Sequence, residues 1–126
     1  MKLLFCPSNC PSSKNGRRWT GRYFIASKAT KVWKKNTAKW WEENKDRFLE
    51  LLEGKEKPYK IGFHFVRGTR HKYDWVNPIQ TVQDEMVHAE WLEDDNITEM
   101  VPFPFKIKGE YSTYSKDKPG VYIKVY

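Results

Sequence analysis

Between Tyr73 and Phe105 the chain has not one lysine or arginine. That gap stands out in a protein of 126 residues with 23 Lys+Arg, 16 Asp+Glu and a formal net charge of +7. Other absences narrow the function classes. No apolar run approaches the roughly 18–20 residues that cross a bilayer, so no membrane association is expected. The start, MKLLFCPSNC, offers only Leu3, Leu4 and Phe5 as an apolar run, too short for a secretory signal. The chain therefore reads as cytoplasmic. There are two cysteines, Cys6 and Cys10. With no second Cys or His pair at ligand spacing they make no zinc site, and with no export signal they are expected as reduced thiols. No spacing pairs Ser12, Ser13 or either cysteine with His64, His71 or His88 as a nucleophile and base, which excludes acyl-transfer and thiol chemistry as first readings.

What fills the gap is acid. Asp74, Asp84, Glu85, Glu90, Glu93, Asp94, Asp95 and Glu99 lie there, while residues 1–72 hold 18 Lys+Arg against 6 Asp+Glu. Grouped carboxylates repel unless protonated or bridged by a cation, and hard divalent cations such as Mg²⁺ take such ligands. A pI near 9.4 points to an acidic partner, nucleic acid first. The composition predicts a metal-dependent enzyme on nucleic acid, with solvated acidic faces as the plainer alternative. Six tryptophans supply enough apolar area for a compact core in one domain, residues 1–126, and the small size makes a homodimer plausible.

Along the chain, residues 2–6 read as a strand and 7–18 as a turn-rich loop. Lys14, Arg17 and Arg18 beside Trp19 suit phosphate contact and base stacking. Residues 22–26 read as a strand. Ser27 is a good N-cap for a helix reaching about residue 53, with Val32, Trp33, Trp40, Trp41, Phe48, Leu51 and Leu52 near a 3.6 period. Thr37 and Asn44 interrupt that stripe. The helix is basic early and acidic late, against its dipole. Residues 59–66 alternate as a strand, and Arg70 and Lys72 follow in a basic turn. Asn77-Pro78 predicts a second helix, about 78–90, with Asn77 as N-cap, Gln80 completing a capping box and Ile79, Val82, Met86 and Ala89 buried. Thr81 and Asp84 fall on the opposite face, with Asn77 and Gln80. Residues 97–101 read as a strand broken by Pro102 and Pro104. A hairpin of 106–111 with 121–126 is expected around Lys118-Pro119-Gly120. The elements predict an α+β fold: a small mixed or antiparallel sheet packed with two main helices.

Asp74-x-x-Asn77, then Asp84, then Asp94-Asp95, resembles the RusA family of Holliday junction resolvases, small basic endonucleases of phages and prophages. Pro11-Ser12-Ser13-Lys14-Asn15-Gly16-Arg17, Phe24-Ile25-Ala26-Ser27 and Lys57-Pro58-Tyr59-Lys60-Ile61 resemble other segments of that family. The likeness covers roughly residues 7–100. It implies a RusA-like fold, a homodimer, branched DNA as substrate, Mg²⁺ or Mn²⁺ as cofactor, and a bacterial or phage-infected cell. It implies Asp74, Asp84, Asp94 and Asp95 as catalytic and metal-binding, with Asn77 and Gln80 beside them. The metal would activate a water and stabilise charge on the phosphate. Lys14, Arg17, Arg18, Arg70 and Lys72 would hold the DNA backbone. Two positions depart from the family pattern: Val76 stands where a second Asp is expected, and Gln80 where a Lys is. A weakened or inactive junction-binding protein is thus one alternative. A basic protein-interaction module with a docking Trp-rich helix is another.

Overall fold

A computed structural model describes residues 3–11 and 28–126 in full, and the backbone of 17–19 and 24–26. The fold is α+β. Strands β1 (Leu3–Pro7), β4 (Tyr59–Arg67), β5 (Met100–Pro104), β6 (Ser112–Tyr114) and β7 (Gly120–Val125) form one mixed sheet. Its order is β1-β7-β4-β5, with β6 also on β4. β7 pairs antiparallel with β1 and β4; β5 and β6 run parallel to β4. Arg17–Trp19 (β2) and Phe24–Ala26 (β3) make a separate two-stranded ribbon, where a loop was expected over the first of them. Helices α1 (Lys28–Leu52) and α2 (Val76–His88) complete the fold. Among the described residues no helix is long and apolar enough to cross a membrane.

The sheet's two faces are unlike. Ile61, Phe63 and Phe65 of β4, Val121 and Ile123 of β7, and Leu4 and Cys6 of β1 alternate into one core with the helices. α1 buries Thr30, Trp33, Thr37, Trp41, Asn44, Phe48 and Leu52, steps of three and four along one stripe. The two interrupting residues are satisfied within the helix. Thr37 donates to the Trp33 carbonyl (2.9 Å) and accepts from the Trp41 indole (3.1 Å); Asn44 donates to the Trp40 carbonyl (2.9 Å). Trp91 docks α2 onto α1: its ring stacks on Phe48 at 4.7 Å, and its N–H donates to the Trp41 carbonyl at 2.9 Å. The proposed Ser27 cap lies outside the described residues.

Three expected features differ. First, α2 starts at Val76, not Pro78, because the Asn77 N–H donates to the Asp74 carbonyl (3.0 Å) and begins the turn earlier. Asn77 is inside the helix and is not its cap; Pro78 sits in the first turn, where no intrahelical donor is needed. Second, Pro102 and Pro104 lie within β5, which is an edge strand and tolerates missing donors. Third, 106–111 does not pair with β7, whose two sides are taken by β1 and β4. Residues 107–110 close on themselves instead, with Ile107 and Glu110 exchanging backbone hydrogen bonds. Lys108 and Gly109 both have positive φ there, the combination a two-residue hairpin turn requires.

Candidate functional site

β4, α2 and β5 form a crossover unit. β4 and β5 are parallel neighbours, with Tyr59 beside Met100, so α2 must run back along the sheet between them. Asp74 enters α2 and Asp94-Asp95 follow it. The helix alone separates these ends by about 18 Å at 1.5 Å per residue. Local contacts agree. Tyr73 donates to Ser112 Oγ (2.6 Å), and Ser112 in turn donates to the Phe65 carbonyl (3.1 Å), which holds Asp74 at the far end of β4. Lys57, just before β4, binds Glu99 at 2.8 Å and Glu93 at 3.5 Å, which holds the Asp94-Asp95 turn at the near end.

The acidic island is therefore spread along the unit. Asp74 is exposed at one end; Asp84 is partly buried on α2; Asp94 is exposed and Asp95 partly buried at the other end. Asp94 Oδ1 accepts from the Asp95 backbone N–H at 2.7 Å and Oδ2 from the Asn96 amide at 2.9 Å. Those bonds hold its carboxyl below the usual range. Glu93 and Glu99 do converge, but on the Lys57 ammonium, which fills the place a cation would take. Two ligands of one Mg²⁺ lie within about 4 Å of each other, given bonds near 2.1 Å. Among the described residues no three of His, Cys, Asp or Glu are grouped to hold a metal. The carboxylates of the chain thus do not fit the ion as a set. Asp74 and Asp95 lie at opposite ends of the crossover unit.

The cationic candidates fall at the Asp74 end. Arg70 is exposed, its guanidinium 4.4 Å over the Tyr114 ring, and Lys72 is exposed beside it. Arg67 lies 4.6 Å over the Tyr73 ring and donates to the Cys10 carbonyl, tying the loop after β1 to the end of β4. Lys14 lies outside the described residues, and Arg17 and Arg18 are placed only by their backbone in β2. Asn77 and Gln80 lie in the first turns of α2, Gln80 exposed; Val76 is 64% exposed there.

Two residues of α2, Glu85, which the sequence reading gave no face, and Thr81, which it put on the wrong one, are buried. Glu85 is 5% exposed, and its Oε2 has no hydrogen-bond partner. Burial pushes its carboxyl pKa up, Lys34 and His88 pull it down, and Asp84 adds repulsion. The signal was present: Glu85 is three residues past Val82 and seven past Pro78, on the buried stripe. Thr81, expected on the polar face, is 2% exposed and also unpartnered. Cys6 and Cys10 are free, buried thiols; burial pushes both pKa values well up and leaves them unreactive. His64, fully buried, is tied to the Phe105 carbonyl (2.9 Å) and Thr113 Oγ1 (3.0 Å), a structural arrangement.

No family model and no curated protein matches this chain.

Proposed function

We propose that this protein is a Mg²⁺- or Mn²⁺-dependent endodeoxyribonuclease acting on four-way DNA junctions as a homodimer, with each metal site completed by two copies. The reading fits recombination, repair or phage DNA processing in the cytoplasm of a bacterial or infected cell. The observation that carries it is the polarity of the crossover unit. Asp74 sits among Arg67, Arg70 and Lys72 at one end; Glu93, Asp94, Asp95 and Glu99 lie at the other. A two-fold axis that sets two copies side by side and antiparallel brings the cationic end of each against the acidic end of the other. It would then place Asp74 near Asp95 of a second copy, twice over by symmetry. Two equivalent sites are what symmetric cutting of a junction needs. Junction choice would come from that dimer geometry, while Arg70 and Lys72 hold phosphates without reading bases.

Subunit mixing tests this. Asp74→Asn and Asp95→Asn should each abolish cleavage of a synthetic four-way junction in Mg²⁺. Mixed after brief unfolding and refolding, the two should regain nicking, because a mixed dimer contains one wild-type pair of aspartates. If each site belonged to one protomer, no mixture would cut. If both variants cut like the wild type, Asp74 and Asp95 take no part in the cleavage and the proposed site is wrong.

A second reading has its own observation. Val76, 64% exposed, stands two residues after Asp74 where a second carboxylate is expected from the resemblance. On that reading the protein binds junctions without cutting. It would retain them in EDTA and yield no product in either metal.

A further inference from the structure

The helix-free face of the sheet is not the polar surface that an uncovered face usually carries. Phe5 of β1, Tyr122 of β7 and Phe103 of β5 emerge there half-buried, joined by Phe105 and by Tyr126 at 41% exposure. Phe5 and Tyr122 lie 4.6 Å apart and Phe103 and Tyr126 4.7 Å, and between the two pairs the His64 ring lies 6.3 Å from Tyr122 and 5.8 Å from Phe105. Gly62 underlies the rings: a Cβ there would meet Phe105 Cδ1 and Tyr126 Cε2, each at 2.9 Å. Lysines are set among the rings. Lys124 Nζ lies 4.3 Å over Tyr126 and 5.8 Å over Phe105; Lys106 Nζ lies 5.2 Å over Tyr111, itself 55% exposed. Lys60 and Lys108 are exposed alongside. A groove of about 590 Å³ opens on this side, with Tyr122, Val66 and Thr113 in its lining and Lys108 and Lys118 beside Glu110. Among the described residues no acid pairs with Lys60, Lys106, Lys108, Lys118 or Lys124.

We propose that this face is a binding surface for single-stranded nucleic acid, on the side of the sheet opposite the carboxylate-bearing helix α2. Rings stack on bases of any sequence, and unpaired lysines neutralise phosphates; the two together on a sheet face suit an unpaired strand. A duplex hides its base faces and would use the lysines alone. A second copy docking face to face would bring identical lysine sets together, which like charge disfavours. The proposal stands apart from the nuclease reading, because it involves neither Asp74 nor Asp95.

Fluorescence anisotropy tests it, with a labelled 20-mer of thymidine and a 20-base-pair duplex at matched salt in EDTA. The double variant Lys106→Glu/Lys108→Glu should weaken binding to the single strand at least tenfold. It should also flatten the salt slope by about 1.4, at roughly 0.7 per lost phosphate contact on a single strand. Tyr126→Ala and Tyr122→Ala, in the ring pairs of this face, should each weaken single-strand binding fivefold or more and leave duplex binding within twofold. Lys55→Glu, at an exposed position after α1, should change single-strand affinity by less than twofold. The proposal is overturned if the wild type binds the thymidine 20-mer no better than the lysine variant does. It is equally overturned if the tyrosine variants weaken both nucleic acids alike. A sedimentation shift in the lysine variant, with single-strand affinity unchanged, would make the face a protein contact and overturn it too.

Discussion

Glu85→Gln should stabilise the protein in a pH-dependent way. The wild-type carboxyl is buried, its Oε2 is unpartnered, and burial raises its pKa above the ordinary glutamate value. The folded state therefore holds this proton at pH values where the unfolded chain has released it. Stability must then fall as pH rises from the ordinary range through the folded pKa, and below that range the group contributes nothing. Each tenfold difference in proton affinity between folded and unfolded chain is worth about 1.4 kcal/mol. Glutamine copies the protonated form and keeps the shape. Near pH 4 the two proteins should match. At pH 8 the variant should be more stable by about 1–2 kcal/mol, allowing for the opposing pull of Lys34 and His88. For a chain of this size that is roughly 3–8 °C in Tm. Urea unfolding followed by tryptophan fluorescence at both pH values reads the difference directly. Other acids titrate equally in both proteins and cancel. A variant less stable at pH 8 would mean that Lys34 holds the carboxylate in a net favourable pair, and the desolvation argument would be wrong.

Val76→Asp adds a carboxylate in the first turn of α2, where none exists and the helix dipole favours one by about 0.3–1 kcal/mol. It should raise Tm slightly and increase Mg²⁺-dependent junction cleavage; no gain in either would count against the site beside Asp74. Gly62→Ala should cost about 1–3 kcal/mol in urea titrations, toward the low end because the Tyr126 ring can swing outward; a neutral result would mean that the aromatic layer is loosely packed. Glu90→Gly should stabilise by about 1 kcal/mol. Glu90 has φ 62° at the end of α2, where the Trp91 N–H bonds the Met86 carbonyl and the Glu90 N–H that of Val87. Thermal unfolding checks it, and the lost Lys45–Glu90 pair, exposed at 3.6 Å, should subtract little.

Legibility tracked the range of the governing interaction. α1 and β4 could be read because their patterns are local: a stripe at steps of three and four, and alternation at 59–65. Thr37 and Asn44 looked like flaws because their hydrogen bonds lie within the helix backbone, which hydropathy does not register. β5 was cut short by a rule about prolines that holds for central strands, and its place at the sheet edge is a tertiary fact. The partner of β7 was misjudged because 106–111 also alternates, while the true neighbours, β1 and β4, come from the start and the middle of the chain. For the acids, nearness in sequence misled. Residues flanking a helix that joins parallel strands end up a helix length apart, however few positions separate them.

The same geometry accounts for the backward charge order of α1. Trp41 and Phe48 pack on Trp91, beyond the last turn of α2, and the charge of Lys34 acts on Glu85, further back along it. α1 therefore runs alongside α2 in the same sense. Exposed Lys28, Lys31, Lys34, Lys35 and Lys39 fall toward the end that carries Asp74, Arg67, Arg70 and Lys72. The acidic half, Glu42 to Glu53, falls toward the end that carries Glu93, Asp94, Asp95 and Glu99. Each charge set opposes the helix dipole by a few tenths of a kcal/mol to about 1 kcal/mol. A molecule with a uniform +7 would attract a polyanion from every side. One polarised along its helices turns its cationic end toward it and repels it at the other. If α1 bears charge for orientation, exchanging its lysines and glutamates end for end should raise Tm while slowing association with junction DNA at low salt. Faster association in that variant would show that the polarity plays no part in docking.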